Sequence, residues 1–165
     1  MEILYNYLDK KIYELKGEWI SKPRYYEEEA CMNLDFNYKS GRYCDCEYNG
    51  TYIELKKGNS SAWFNEIRYA EILMYKWLKE TVTMFMIPSE NKAKIYYIYL
   101  IDTKDIIKAL CITPEWAIEV IKRNKEIQRS LQYQHNLTKK DLRDMAKYVV
   151  NYNHNSYTYY RLNWK

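Results

Sequence analysis

Residues 2–16 carry apolar side chains at Ile3, Leu4, Leu8, Ile12 and Leu15. That spacing predicts an amphipathic helix, and Gly17 fits just past its end. Lys22-Pro23-Arg24 breaks the pattern. Over residues 30–38 the period changes to two: Ala30, Met32, Leu34, Phe36 and Tyr38 alternate with Cys31, Asn33, Asp35 and Asn37. This predicts a half-buried strand, and Lys39-Ser40-Gly41-Arg42 reads as the turn after it. Residues 43–48 and 51–57 then flank Asn49-Gly50. That dipeptide signals a tight hairpin, because both central turn residues need φ > 0. The stretch 30–57 is therefore expected to be a three-stranded meander.

Gly58-Asn59-Ser60-Ser61 closes the third strand, and its serines suit an N-cap. A helix to about residue 80 is expected, with Trp63, Ile67, Ala70, Met74 and Trp77 as its buried stripe. Residues 82–87 and 94–101 read as strands around Pro88-Ser89-Glu90-Asn91. The run 95–101 is apolar on both faces and looks central. A short helix over Asp105 to Leu110 comes next. Thr113-Pro114 places an N-cap and a Pro at the first position of a helix to about residue 130. Thr138-Lys139-Lys140-Asp141 resembles a capping box and predicts a last helix over 139–150. The tail 151–165 takes no assignment. The fold class expected is α/β (α+β-like): a mixed central sheet of about four to five strands flanked by helices.

Composition narrows the picture. With 4 Gly and 3 Pro in 165 residues there is no breaker-rich linker, so one domain over 1–165 is expected. Lys+Arg is 26 against Asp+Glu 22, a net charge of +4, which permits a nucleic-acid partner without demanding one. Cys31, Cys44, Cys46 and Cys111 show no C-x-x-C spacing, which disfavours zinc ribbons and thioredoxin chemistry. Neither a phosphate-binding P-loop nor a dinucleotide glycine motif is present. His135 and His154 are the only histidines and lie far from the carboxylates discussed next. No signal-peptide pattern opens the chain, and the longest apolar run, 95–101, is far below the ~20 residues of a membrane helix. A reduced, cytoplasmic protein without a membrane partner is expected.

The hairpin carries the candidate chemistry. A two-residue turn at Asn49-Gly50 sets Tyr48 against Thr51 and Glu47 against Tyr52. The same register sets Cys46 against Ile53 and Asp45 against Glu54. Asp45 and Glu54 then form a carboxylate pair, with Lys56 two residues on along the same face. Cys44, Cys46, Ile53 and Leu55 are expected to point to the core. Two opposed carboxylates repel without a cation, and hard Mg²⁺ prefers a few carboxylates with waters and phosphate oxygens. A lysine beside it can act on water and on charge developing at phosphorus.

Asp45 followed by Glu54-Leu55-Lys56 on the next strand resembles the PD-(D/E)xK nuclease superfamily, which includes many restriction endonucleases and several junction resolvases. The resemblance covers roughly residues 30–105. Cys44 stands where that motif's proline would be. It implies a restriction-endonuclease-like core and an endonuclease dependent on Mg²⁺ or Mn²⁺ that hydrolyses DNA phosphodiester bonds. It further implies Asp45, Glu54 and the Leu55 carbonyl as metal ligands and Lys56 as the catalytic lysine. Some members add an N-terminal carboxylate; Glu14, Glu18 and Glu27-Glu28-Glu29 are the candidates here. A restriction-type or phage or mobile-element enzyme acting on duplex DNA is expected. It would be a homodimer, since one site cuts one strand.

The plain alternative is that Asp, Glu and Lys only keep an outer sheet face wet. The functional rivals are a junction resolvase, and a non-catalytic nucleic-acid-binding or inhibitor module. Lys57, Asn59 and Ser60 at the strand end suit a phosphate, although ordinary capping explains them equally well. Lys122, Arg123, Lys125 and Arg129 on one helix, with Lys139, Lys140, Arg143 and Lys147 on the next, suit a DNA-facing wall or simply a solvated face.

Overall fold

A computed structural model describes residues 1–21, 25–39, 44–74, 80–88, 95–126, 133–153 and 158–163. The hairpin at its centre forms as the sequence implies. Asn49 and Gly50 take φ of 49° and 85°, and β2 (Cys46–Tyr48) pairs with β3 (Thr51–Lys57) in the register Cys46↔Ile53, Glu47↔Tyr52, Tyr48↔Thr51. The sheet grows outward from this pair. The short β1 (Asn37–Tyr38) flanks β2, and β5 (Thr81–Pro88) lies parallel to β3 on its other side. Next come β6 (Ile95–Asp102), β8 (Tyr148–Asn153) and β9 (Thr158–Asn163), each antiparallel to its neighbour. The order is β1-β2-β3-β5-β6-β8-β9, seven strands among the described residues against an expected four to five.

Helices cover both faces. On one, α1 (Glu2–Leu15) and α2 (Glu27–Asn33) pack Leu4, Leu8, Ile12, Ala30 and Cys31 against Ile53, Leu55, Met84, Met86, Ile98 and Leu100. On the other lie α3 (Glu66–Met74), α4 (Thr103–Ala109), α5 (Pro114–Glu126) and α6 (Lys139–Met145). They pack against Phe85, Ile87, Tyr99, Ile101 and Val149. Strand β6 therefore sends Ile98 and Leu100 one way and Tyr99 and Ile101 the other, as its two-sided apolar run predicts. Each such side chain contributes about 1.5–3 kcal/mol by burial, so a charged residue on either face needs its own explanation.

The predicted helices at the N-terminus, around 105–110 and from Pro114 are present, the last capped by Thr113 Oγ1 accepting from Trp116 N–H at 3.2 Å. The Thr138–Asp141 capping box also forms, with bonds of 3.1 and 3.2 Å.

Four expectations are corrected. Residues 27–33 are helical rather than part of a strand over 30–38. Three glutamates in the first turn favour a helix N-terminus, and a nine-residue window cannot separate the two periods. The helix expected after Ser60-Ser61 starts later. Ser61–Asn65 is strand β4, paired with β7 (Gln134–Thr138) in a separate ribbon, and Asn65 Oδ1 caps α3 through the Ile67 N–H at 3.0 Å. Trp63, expected in the stripe, is 60% exposed on that ribbon, whereas Ile67 and Ala70 are buried. The last helix ends at Met145, because Ala146 turns extended and β-branched Val149 and Val150 join the sheet. Expectations for Lys22-Pro23-Arg24, residues 40–42, Trp77, 89–91, the helix beyond Glu126, Arg129 and His154 lie outside the described residues.

Candidate active site

Strand β3 alternates between the two cores. Ile53 and Leu55 enter the layer under α1 and α2, which sends Glu54 and Lys56 to the α3 side. Glu54 is 3% exposed on a face otherwise filled by Phe64, Ile67, Tyr69 and Phe85. Its partner across β5 is Thr83, whose hydroxyl bonds Tyr69 at 3.2 Å and Thr103 at 3.0 Å. A buried polar line thus crosses an apolar layer. Lys56 Nζ lies 5.3 Å from the Phe64 ring centre, and Lys57 Nζ lies 4.8 Å from that of Tyr26 on the other side of the sheet.

Asp45 comes to the same place by a different route from the expected one. The ladder between β2 and β3 stops at Cys46↔Ile53, so Asp45 is not directly opposite Glu54. It sits in a bend, its N–H donating to the Ile53 carbonyl at 2.9 Å. Its Oδ2 accepts the Leu55 N–H at 2.7 Å. The side chain thereby replaces a strand partner where β2 runs out. Cys44, before the bend, is buried as expected of a core residue. Its thiol is pushed up to about 12 by burial and then by the charge of Glu54.

What joins the two carboxylates is Arg68, on the first turn of α3. Its Nη2 is 2.6 Å from Glu54 Oε1 and 3.8 Å from Asp45 Oδ1, and its Nε donates to the same Glu54 oxygen at 3.1 Å. The sequence gives no sign of this role, since a lone arginine on a helix normally reads as solvated. Even with Arg68 in place, burial raises Glu54 to about 7, and Asp45 adds to the rise against the pull of Arg68 and Lys56. Asp45 is also raised, by burial first, with the Leu55 N–H and Arg68 opposing and Glu27 adding. Among the N-terminal carboxylates proposed to join the site, Glu27, at the start of α2, adds its charge to the rise at Asp45. Glu29 is engaged with Ser21, and Glu14 lies 4.0 Å from Lys11.

The donor set suits a hard divalent cation. Asp45 Oδ1 and Glu54 both lie within 4 Å of one nitrogen, so a single positive charge already serves the two carboxylates. Strand alternation also sets the direction of the Leu55 carbonyl. Tyr52 and Gly58 direct their N–H groups to β5, whereas Ile53 accepts from Asp45 on the other side. Leu55, in phase with Ile53, therefore directs its carbonyl away from β5, beyond the end of β2. Among the described residues no three His, Cys, Asp or Glu side chains gather as a ready metal cluster. A cation here would rest on two carboxylates, the Leu55 carbonyl and waters or phosphate oxygens, which is the habit of Mg²⁺.

The residues expected at nucleic acid fall into two groups. The β4–β7 ribbon, with Ser61 opposite Thr138 and the Lys139 N–H donating to the Ser60 carbonyl at 2.7 Å, brings Asn59 and Ser60 near Lys139 and Lys140, whereas the Lys57 side chain lies on the α2 side of the sheet. Gly58 permits this turn, because a Cβ there would lie 2.1 Å from the Ser61 carbonyl oxygen. Lys139 Nζ sits 5.2 Å from the Tyr97 ring centre, and Lys140 pairs with Asp144 at 3.6 Å. Lys122 and Arg123 are exposed on α5, and Arg123 pairs with Glu119 at 2.7 Å. An open cleft of about 330 Å³ between α4 and α6 is lined by Asp105, Lys108, Asp144 and Lys147, and no motif residue lines it.

No family model, curated protein or solved structure matches the chain. Among the described residues, no helix is long and apolar enough to cross a membrane.

Proposed function

We propose that this chain is a metal-dependent endonuclease that hydrolyses DNA phosphodiester bonds, of the PD-(D/E)xK kind, with a restriction-type or phage or mobile-element role. The observation that carries the reading is Glu54. It is a carboxylate buried in an apolar layer, gathered with Asp45 around one positive charge, and followed two residues later by a lysine on the same face. A surface-wetting role does not account for a 3% exposed glutamate.

In this reading Asp45, Glu54 and the Leu55 carbonyl hold Mg²⁺ or Mn²⁺, which supplies Lewis-acid activation of water and phosphate. Lys56 offsets charge developing on the phosphate or orients the attacking water. The Phe64 ring beside its ammonium restricts where that charge can sit. Asn59, Ser60, Lys139 and Lys140 at the ribbon end, with Lys57 at the end of β3 and Lys122 and Arg123 on α5, contact phosphates along a duplex. Two copies of the chain would cut two strands.

A second reading has a specific observation in its favour. Arg68 already compensates both carboxylates, as a purely structural ion cluster in a non-catalytic binding module would. Incubation with supercoiled plasmid, linear duplex and branched DNA, in Mg²⁺, Mn²⁺ or EDTA, separates these readings. Metal-dependent nicking or linearisation is expected, and preference for the branched substrate would favour a junction resolvase. Intact DNA in every arm would leave the binding module.

A further inference from the structure

Arg68 belongs to no motif, yet its guanidinium occupies the space between the two carboxylates on which the metal-dependent reading depends. We propose that Arg68 is the resident counter-cation of this site and that a divalent cation binds only by taking its place. The inference rests on the metal-dependent reading of Asp45 and Glu54 and adds to it the residue that sets cation affinity.

Three observations support the exchange. First, two guanidinium nitrogens converge on the single oxygen Glu54 Oε1, at 2.6 and 3.1 Å, while Nη2 also reaches Asp45 Oδ1 at 3.8 Å. A cation shared by the two carboxylates would need the same region. Second, charge balance favours one occupant at a time. Two carboxylates with Arg68 leave one negative charge and with Mg²⁺ leave none, whereas holding both cations would put excess positive charge into a buried site that Lys56 already influences. Third, the guanidinium lies nearer to water than the Glu54 carboxylate does. The Glu54 side chain is 4% exposed but that of Arg68 is 21% exposed, on the first turn of α3. A long, flexible side chain can withdraw to water while the strand-borne carboxylate stays.

The structure also explains why an arginine stands here. Glu54 buried alone would carry an uncompensated charge, which is costly. A protein that must fold before meeting its metal needs a substitute. Arginine supplies a planar fork for a carboxylate and is always charged.

The test uses the whole chain, without nucleic acid. Binding of Ca²⁺ and Mn²⁺ is measured by calorimetry for the native protein, Arg68→Gln and Arg68→Lys. Arg68→Gln is expected to bind either ion roughly tenfold or more tightly, a typical coupling between competing occupants. Arg68→Lys is expected to lie between it and the native protein, since a lysine keeps the charge but not the fork. Arg68→Gln should also melt at a lower temperature than the native protein in EDTA and regain the difference in millimolar Mg²⁺. Should Arg68→Gln not fold without metal, the native protein provides the readout. The Arg68 Nε–H resonance, assigned by its loss in Arg68→Lys, should shift and lose its exchange protection as Ca²⁺ is added. Unchanged or weaker cation binding in Arg68→Gln, with an unmoved Arg68 resonance as the native protein saturates, would overturn the exchange and leave the metal reading intact. Absence of cation binding in native and variant proteins alike would overturn both.

Discussion

Asp45 accepts the Leu55 N–H on Oδ2 at 2.7 Å, so one carboxylate of the pair is a backbone partner of the strand that carries the other. The bond holds β3 where β2 has ended and fixes Asp45 beside Glu54. Stability and chemistry at Asp45 should therefore separate. Asp45→Ala leaves a strand N–H without its acceptor and should cost about 1–3 kcal/mol. Asp45→Asn keeps an acceptor and should cost less, while losing the charge needed for cation binding and so Mg²⁺-dependent cleavage. Urea unfolding and plasmid cleavage of both variants check this; equal destabilisation would show that the hydrogen bond is not what Asp45 contributes.

The two carboxyls also predict how stability follows pH. Glu54 is raised from its ordinary 4.5 to about 7, by burial first, and Asp45 is raised as well. Across that window the folded state holds more protons than the unfolded state, so this contribution to stability is full below about 4.5 and is lost as pH rises through about 7. The slope is at most about 1.4 kcal/mol per pH unit for each proton. Glu54→Gln removes one such proton, so its stability should decline less steeply between pH 5 and 7.5. Denaturation midpoints across that range are the measurement, and parallel curves for the two proteins would contradict the assignment.

Much of this site was legible before the fold was known. The Asn49-Gly50 turn fixes the register of its two strands, and the one-in-two alternation of β3 separates Glu54 and Lys56 from Ile53 and Leu55. Both are local rules. What stayed hidden depends on distant partners. Ser61–Asn65 becomes a strand only because Gln134–Thr138 pairs with it, and nothing near Ser61 announces that partner. Arg68 becomes the bridge only because the crossover from β3 to the parallel β5 lays α3 over Glu54. The bend at Asp45 has no local signal, because the Asn49-Gly50 turn implies uninterrupted pairing past Cys46, whereas a single bend changes which side chains share a face.

Metal identity should separate binding from cutting. Mg²⁺ and Mn²⁺ are expected to support cleavage, EDTA to abolish it, and Ca²⁺ to support DNA binding with little cutting, because its looser coordination positions water poorly. Gel-shift and cleavage assays run in parallel would show this, and undiminished cutting in EDTA would contradict it.

Salt dependence tests the basic surface. If Lys122, Arg123, Lys139 and Lys140 each neutralise a phosphate, log K should fall by about 0.9 per contact per log unit of salt. Their present partners refine the expectation. Arg123 and Lys140 already pair with Glu119 and Asp144, so Lys122→Ala and Lys139→Ala should reduce the slope more than Arg123→Ala or Lys140→Ala. Fluorescence anisotropy across a salt series measures it, and a flat response would remove the DNA site from this surface.

The sharpest prediction concerns Lys56. Its ammonium lies against the Phe64 ring on the Glu54 face, whereas that of Lys57 lies against Tyr26 on the other. Lys56 is half-buried, with part of its stem on apolar surface, so Lys56→Ala should lower stability only modestly, by about 1 kcal/mol or less. It should retain Ca²⁺-supported DNA binding to within a few-fold, because one phosphate contact at most is lost. Its cleavage rate should fall by roughly 10²–10³, the scale of losing one preorganised electrostatic group. Glu54→Ala should fail as severely and also lose cation affinity, which separates a ligand from a group acting on water or phosphate. Lys57→Ala, on the opposite face, removes at most one of several phosphate contacts, so its cleavage should fall far less than that of Lys56→Ala. Normal cutting by Lys56→Ala with a dead Lys57→Ala would place the chemistry on the α2 side of the sheet, among Tyr26 and the α2 glutamates, and would remove Glu54 from it.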